Sequence, residues 1–408
     1  MRSILILFLL LIIFSCKQDA RKMVSMKEDV TYLAADSLMG RETGTSYEML
    51  AGSYLADRFR DLGLEAKGSD GYMQEFTFKP STNPHQEAEV VDKTVDSTLT
   101  GRNVIAYLDN KAPTTVIIGA HYDHLGMGGQ GSLYREGEAI HNGADDNASG
   151  VAVLLKLAGE LKDTNTNNNY LFIAFSGEEM GLLGSNYFVK NPTIDLADVS
   201  YMMNMDMVGR LNDENTLAVH GVGTSPVWKQ ALFANNDLGL NIAEHESGIG
   251  PSDHTSFYIM DIPVLHFFTG QHSDYHKPSD DADKLNYTGM ETISKYILNI
   301  ISDLNDNEKL AFRKTKNESE DVPRFKVTLG VVPDYLYTGE GMRIDGVSED
   351  RPAIKAGIQK GDIVKKMGEF EVTDMMSYMK SLSKFEEGQT VMVMIDRDGE
   401  MLEMEVTF

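Results

Sequence analysis

The chain has 408 residues, 42% hydrophobic and 24% charged, a globular composition too long for one ordinary domain. Its formal net charge is -25, from 37 basic against 62 acidic residues, which argues against a nucleic-acid partner because phosphates demand basic patches. The single cysteine, Cys16, excludes an intramolecular disulfide.

At the N-terminus one arginine, Arg2, precedes an unbroken apolar run from Ile4 to Phe14. The run is shorter than the roughly 20 residues a membrane span needs and suits a signal-peptide core. It closes on Ile13-Phe14-Ser15-Cys16, which resembles a bacterial lipobox. Residues 1–16 are therefore expected to be a lipoprotein signal peptide. Cys16 would be the lipid anchor, placing the protein outside the cytoplasm on a bacterial envelope membrane.

Two helical patterns follow, Val30-Leu33-Ala34-Leu38 and Leu55-Phe59-Leu62, the second stopped by Gly63. From about residue 103 strand and helix alternate. Strand-like runs are Val104–Leu108, Thr115–Ala120, Tyr170–Phe175, Tyr201–Met205 and Val264–Phe268. Helical runs are Val151–Leu161 and one carrying Ile293, Ile297, Ile300, Ile301 and Leu304. This alternation predicts an α/β domain over residues 24–306 with a mostly parallel sheet covered on both faces. Ligands in such sheets bind beyond the carboxyl ends of the strands. Residues 307–324 are charged and read as a linker, and residues 325–408 read as a second compact unit. The methionines of the 202–207 run alternate around a buried strand and are expected to pack the core.

Polar clusters follow the predicted strands: His121-Tyr122-Asp123, Asp145-Asp146-Asn147, Glu178-Glu179, Asp206, and His276 ten residues or so beyond the last strand. Parallel strands point one way, so the clusters converge at one sheet edge. Converging carboxylates repel unless they bind cations. Two imidazoles and three carboxylates without sulfur suit zinc, with cobalt or manganese as alternatives. Five ligands exceed the three that one catalytic zinc takes from protein. With one carboxylate shared, they serve two ions. Taken singly, Asp145 is equally a helix cap and Asp206 equally a turn residue. The joint occurrence is what points to a metal site.

The order His-x-Asp, Gly-Ala-Asp-Asp-Asn-Ala-Ser-Gly, Ser-Gly-Glu-Glu-Met-Gly-Leu-Leu-Gly-Ser, Asn-Met-Asp-Met and Tyr-His-Lys-Pro-Ser-Asp resembles the family of co-catalytic di-zinc aminopeptidases, of the bacterial leucyl aminopeptidase and glutamate carboxypeptidase type. The resemblance covers roughly residues 25–305. It implies a zinc-exopeptidase-like three-layer sandwich and an exopeptidase, most simply an aminopeptidase acting on peptide substrates. A carboxypeptidase or dipeptidase on the same scaffold, or a non-catalytic peptide-binding protein, are the alternatives. By the same resemblance Asp145 would bridge the metals, with His121 and Asp206 completing one site and Glu179 and His276 the other. Glu178 would be the general base for a two-zinc-activated water. Asp123 would orient His121 from behind, and His254, in Ser252-Asp253-His254-Thr255, is a candidate substrate-carbonyl contact. His272 and Asp274 belong to the His276 loop as candidate supports. His124 and His141 receive no role.

Residues 325–408 resemble a bacterial PDZ domain. The resemblance rests on Arg351-Pro352-Ala353-Ile354-Lys355-Ala356-Gly357-Ile358-Gln359-Lys360-Gly361-Asp362-Ile363-Val364 and on Thr328-Leu329-Gly330-Val331. It implies a mainly-β unit that binds a peptide's C-terminus by adding it to a sheet edge. Leu329, Gly330 and Val331 would form the carboxylate loop, with a groove-lining helix near Met375–Ser383.

Overall fold

A computed structural model describes residues 24–81, 88–91, 97–162, 164–315, 326–334, 336–337, 339–347 and 351–408. Cys16 and the apolar run before it lie outside the described residues. Among those described, no helix is long and apolar enough to cross a membrane.

The first unit opens with helices Met26–Leu33 (α1) and Ser46–Leu62 (α2). Each has a side-chain cap: Ser25 and Glu28 form a reciprocal capping box, and Thr45 accepts from the Glu48 amide. Gly63 ends α2 in the left-handed region, at φ 76°. Strands Glu65–Ala66 (β1), Met73–Lys79 (β2), Glu89–Val90 (β3), Leu99–Leu108 (β4) and Thr115–His121 (β5) precede helix Gly150–Leu161 (α3). Then come strand Asn169–Phe175 (β6), helix Leu183–Lys190 (α4) and strands Val199–Met205 (β7) and Thr216–His220 (β8). Helix Trp228–Ala234 (α5), strand Asn241–His245 (β9), helix His254–Tyr258 (α6), strand Val264–Phe268 (β10) and helix Tyr287–Asp303 (α7) complete the unit.

The strands form one sheet in the order β3-β2-β4-β6-β5-β7-β10-β8-β9, with β1 also on β4. Its centre, β6-β5-β7-β10, is parallel throughout. Antiparallel partners flank that centre, so the sheet as a whole is mixed. Alternate residues of each central strand enter two different cores. Val116, Ile118, Met203 and Met205 pack with α1, α2, α3 and α7, while Ile117 and Met202 pack with Phe188 of α4 and Phe257 of α6. The result is helix, sheet and helix in three layers, and the methionine run is core as its alternation implies.

The expected linker begins later than the charge pattern suggests. Leu310 is buried in the larger core, Phe312 packs on the smaller one, and the Arg313 amide donates to Thr224 O at 2.7 Å. Residues 307–315 thus belong to the first unit. Their apolar anchors, Leu310 and Phe312, are too few to give the segment a periodicity.

The second unit contains strands Val331–Pro333 (β11) and Met342–Val347 (β12), helix Pro352–Lys355 (α8), strands Ile363–Met367 (β13) and Phe370–Glu371 (β14), helix Met375–Leu382 (α9), and strands Thr390–Arg397 (β15) and Glu400–Thr407 (β16). Its sheet runs β11-β12-β13-β15-β16 around its own core, which includes Leu329, Val364, Val393 and Val406. β11 is an edge strand.

Candidate metal and active site

Because β5, β6, β7 and β10 are parallel, their carboxyl ends lie along one edge. They place His121, Glu178-Glu179, Asp206 and the loop to His276 there. The turn 144–149 that leads into α3 enters the same space. Asp146 is at its centre, with Oδ1 3.3 Å from His121 Nε2 and Oδ2 3.1 Å from His276 Nε2. His121 Nε2 is also 3.3 Å from Asp206 Oδ1, and His276 Nε2 is 3.3 Å from Glu179 Oε2. One carboxylate therefore joins two imidazole–carboxylate sets. His276 Nδ1 faces Gly131 O at 2.8 Å, which fixes that nitrogen as the donor and leaves Nε2 as an acceptor.

This places Asp146, not Asp145, between the two sets. Asp145 Oδ1 accepts from the Gly209 amide at 2.6 Å, and its Oδ2 meets His272 Nε2 at 3.1 Å. Adjacent residues of a tight turn point apart. Asp145 turns inward to hold the 207–209 segment, and Asp146 turns outward to the imidazoles. The Gly-Ala-Asp-Asp motif offers two carboxylates in succession, and residue type alone does not choose between them.

Asp280 and Asn147 set the turn. Asp280 Oδ2 accepts from the amides of both Asp145 (2.9 Å) and Asp146 (3.1 Å). Asn147 accepts from Gly150 and Met207 amides and donates to Met205 O. Arg41 is wholly buried. It donates to Tyr122 O at 2.6 Å, Leu33 O at 3.0 Å, Gly143 O at 2.6 Å, and Asn142 O. Burial lowers its pKa to about 10 against the pull of Asp123 and Asp146, so the guanidinium stays charged near neutrality. Ser252 donates to Asp206 Oδ2 at 2.7 Å and in turn accepts from Asn204. Arg41 has no spacing signature in the sequence, and the motifs that contain Asn147, Ser252 and Asp280 do not say which groups those residues brace.

The other expected residues fall unevenly. Asp123 lies 3.6 Å from His121 Nδ1, beyond hydrogen-bond length, and instead accepts from Thr43 Oγ1 (2.9 Å) and the Glu178 amide (3.3 Å). It holds the backbone of Glu178 and stands beside the His121 ring, whose pKa it helps to raise. His254 is fully buried, stacked on His266 with ring centroids 4.5 Å apart. A Cβ built on Gly250 would lie 2.8 Å from its Nε2, so His254 stands behind the Gly250 wall and does not reach the cleft surface. Asp274 braces the loop, taking Arg210 and Lys284 as partners. His141 is held between Ser132 and Ala139 O, a loop support.

A cleft of about 590 Å³ opens over the site. Its lining includes Glu42, His124, Glu178, Glu179 and the apolar Leu125, Met180 and Leu182, with no lysine or arginine among the described lining residues. Glu178 Oε2 stands 4.0 Å from His121 Nε2. Burial raises the Glu178 pKa well above the usual carboxylate range; His121 opposes, while Asp206, Glu179 and Asp253 reinforce. Burial works to lower the imidazoles, yet Asp206 and Glu178 hold His121, and Glu179 and Asp146 hold His276, well above the ordinary histidine value. The cluster thus concentrates negative charge in a desolvated place.

The residues fit metal ions. Ligand atoms about 2.0–2.1 Å from a tetrahedral zinc stand about 3.3 Å apart, and the imidazole–carboxylate separations here are 3.1–3.3 Å. His121, Asp146 and Asp206 offer one compact set and Asp146 and Glu179 part of a second. Two imidazoles compete for that second set. His124 Nδ1 is 2.7 Å from Glu179 Oε1, an ordinary hydrogen bond. His276 meets both carboxylates through one nitrogen whose partner nitrogen is already engaged, and is the better ligand.

Such sets at the carboxyl edge of a three-layer α/β sandwich are the architecture of the metallo-exopeptidases. Residues 103–301 match the model of peptidase family M28 and residues 310–408 that of the PDZ domain, so the chain carries an M28 peptidase domain followed by a PDZ domain. Aminopeptidase YwaD of Bacillus subtilis is 29% identical over 187 residues, 43% of this chain and 38% of that protein. The chain spans about half the length, or less, of such curated relatives. The zinc aminopeptidase BSAP of Bacillus subtilis has TM-score 0.53 at 17% identity, covering 72% of this chain and 95% of that one. A Bacteroides thetaiotaomicron glutaminyl cyclase has TM-score 0.55 at 19% identity, covering 70% and 97%. At these identities the structural likeness is one of fold.

Proposed function

We propose that the protein is a zinc-dependent aminopeptidase with two metal sites. His121 and Asp206 would hold one ion, His276 and Glu179 the other, and Asp146 would bridge them. The observation that carries the reading is the Asp146 carboxylate giving one oxygen to each imidazole. Four carboxylates (Asp146, Glu178, Glu179, Asp206) match the charge of two divalent cations. Ions held there supply Lewis acidity to a scissile carbonyl and to water. Glu178, its backbone pinned by Asp123, takes the proton from the attacking water and passes it to the departing amine. Its neighbour Glu179 points to the ligand set, leaving Glu178 free for this.

The cleft lining favours an aminopeptidase over a carboxypeptidase. A carboxypeptidase must hold the substrate's terminal carboxylate, which calls for a cation, whereas Glu42 and its acidic neighbours suit an α-ammonium. The names of relatives such as aminopeptidase YwaD support the same choice. The test is bound zinc per chain together with hydrolysis of amino-acid anilides and their N-acetylated forms. Two zincs and cleavage of free-amine substrates alone are expected. Cleavage of the N-acetylated forms would overturn the aminopeptidase reading.

We also propose that Cys16 is lipidated and anchors the protein outside the cytoplasm, supported by the apolar run Ile4–Phe14 that ends at it. Metabolic labelling with a fatty acid should mark the protein and fail in Cys16→Ala. Equal labelling of both would refute the anchor.

A further inference from the structure

The PDZ unit touches the peptidase at Gly270, at the start of the loop that carries His272 and His276. A Cβ built on Gly270 would lie 2.9 Å from Leu336 Cδ1, so the Leu336 side chain rests directly on the Gly270 backbone. Gly270 follows β10 and opens the loop that carries His272 and His276. Leu336 is held in place by Asp334, whose Oδ1 accepts from the Leu336 amide at 2.9 Å and whose Oδ2 accepts from Arg343 Nε at 2.6 Å.

Leu336 lies three residues beyond the end of β11, the edge strand of the PDZ sheet. The loop before β11 carries Gly330 at φ 76°, with the Arg351 side chain packed against it. Arg351 is exposed and gives this end of the strand a positive charge in a chain of net charge -25. Half-buried Val331 of β11 and Met375 and Met379 of α9 rest on the same core. Leu329 is buried beneath the loop, as its place in the motif implies.

We propose that the PDZ unit holds the C-terminus of the peptidase's own substrates and presents their N-termini to the catalytic cleft. The direction follows from the strand. A carboxylate at the Leu329–Val331 end requires the preceding peptide residues to run antiparallel along β11 toward Pro333. Continued, that path leads to Asp334 and Leu336, and Leu336 sits on Gly270, two residues before His272. The second unit supplies a cation for a carboxylate, Arg351, where the described lining of the peptidase cleft has no lysine or arginine. The substrates are peptides with a free α-amine and a free, apolar C-terminus, long enough to touch both places. An extended chain spans at most about 3.5 Å per residue, so a dipeptide or an anilide is too short to gain.

The inference rests on the aminopeptidase reading, and the experiment separates the two. The zinc-loaded full chain is given an amino-acid anilide and two decapeptides with the same N-terminal residue, one ending in a free carboxylate and one in an amide. We expect kcat/KM for the free acid to exceed that for the amide about ten- to hundredfold through the raised local concentration. Arg351→Glu, an exposed substitution, should erase that difference and leave anilide turnover unchanged. Equal turnover of acid and amide, with the anilide cleaved, overturns the tethering and leaves the aminopeptidase standing. If none of the three is cleaved, the aminopeptidase reading falls and the tethering with it.

Discussion

Asp146 lies 3.3 Å from His121 through one carboxylate oxygen and gives the other to His276, whereas its neighbour Asp145 is turned inward onto Gly209 and His272. The two residues therefore differ in what their loss removes. We predict that Asp146→Ala lowers bound zinc from two per chain to one or none and kcat/KM by about a thousandfold or more, since the shared ligand serves both ions. Asp145→Asn should retain both zincs and weaken their affinity by about 10- to 100-fold, the usual effect of removing a support. Metal analysis after dialysis against a graded chelator decides. Full zinc occupancy in Asp146→Ala would remove the bridging assignment.

Glu178 faces the cleft while the adjacent Glu179 faces the imidazoles. Glu178→Gln keeps the shape and removes the proton acceptor. We predict unchanged zinc content, KM within a few-fold, and a fall in kcat of about 10²–10⁴. Zinc content and steady-state kinetics on one preparation test this. A variant with wild-type kcat would mean another group moves the proton.

Arg41 ties the loop after β5 to helix α1 and to the turn bearing Asp146 through four backbone carbonyls, all away from water. Arg41→Met fills much of the volume and takes the guanidinium donors from the Tyr122, Leu33 and Asn142 carbonyls, while Gly143 O keeps the Ala148 amide. We predict a loss of about 3–5 kcal/mol, because hydrogen bonds from a buried charge are worth more than neutral ones. Urea unfolding at fixed zinc measures it. A loss under about 1 kcal/mol would show that water can replace the guanidinium.

Much of this was legible in sequence, and what was not has physical reasons. The central strands read clearly because they are buried on both faces and their runs are almost wholly apolar, as in Tyr170–Phe175. The flanking β8 and β9 were not read, being short and near the sheet edge. The ligand types were legible because parallel strand ends must converge. The choice of Asp146 over Asp145 was not, because it depends on which way each side chain leaves a turn set by its own Asn147 and by Asp280, far off in sequence. His254 was misplaced for a similar reason. Its motif gives a loop near the site and does not say which side of the Gly250 wall the ring occupies.

That buried ring carries a pH prediction. His254 stacks on His266, and His220 stacks on His245 with centroids 4.2 Å apart, across the neighbouring strands β10, β8 and β9. Burial, with His220 adding to it, lowers the His254 pKa to about 3, from 6.5 for the free side chain; burial also holds His266 and His220 well below the ordinary value. The native state thus binds fewer protons than the unfolded chain. The stability these rings contribute is present above about pH 6.5 and is lost as the pH falls toward 3. For His254 alone the loss between pH 7 and 5 is about 2 kcal/mol. His254→Phe keeps an aromatic ring in the stack and cannot take up a proton. We predict that urea unfolding of this variant loses about 2 kcal/mol less than the parent over that interval. Equal losses in the two proteins would mean that the imidazole is not desolvated as its place behind Gly250 requires.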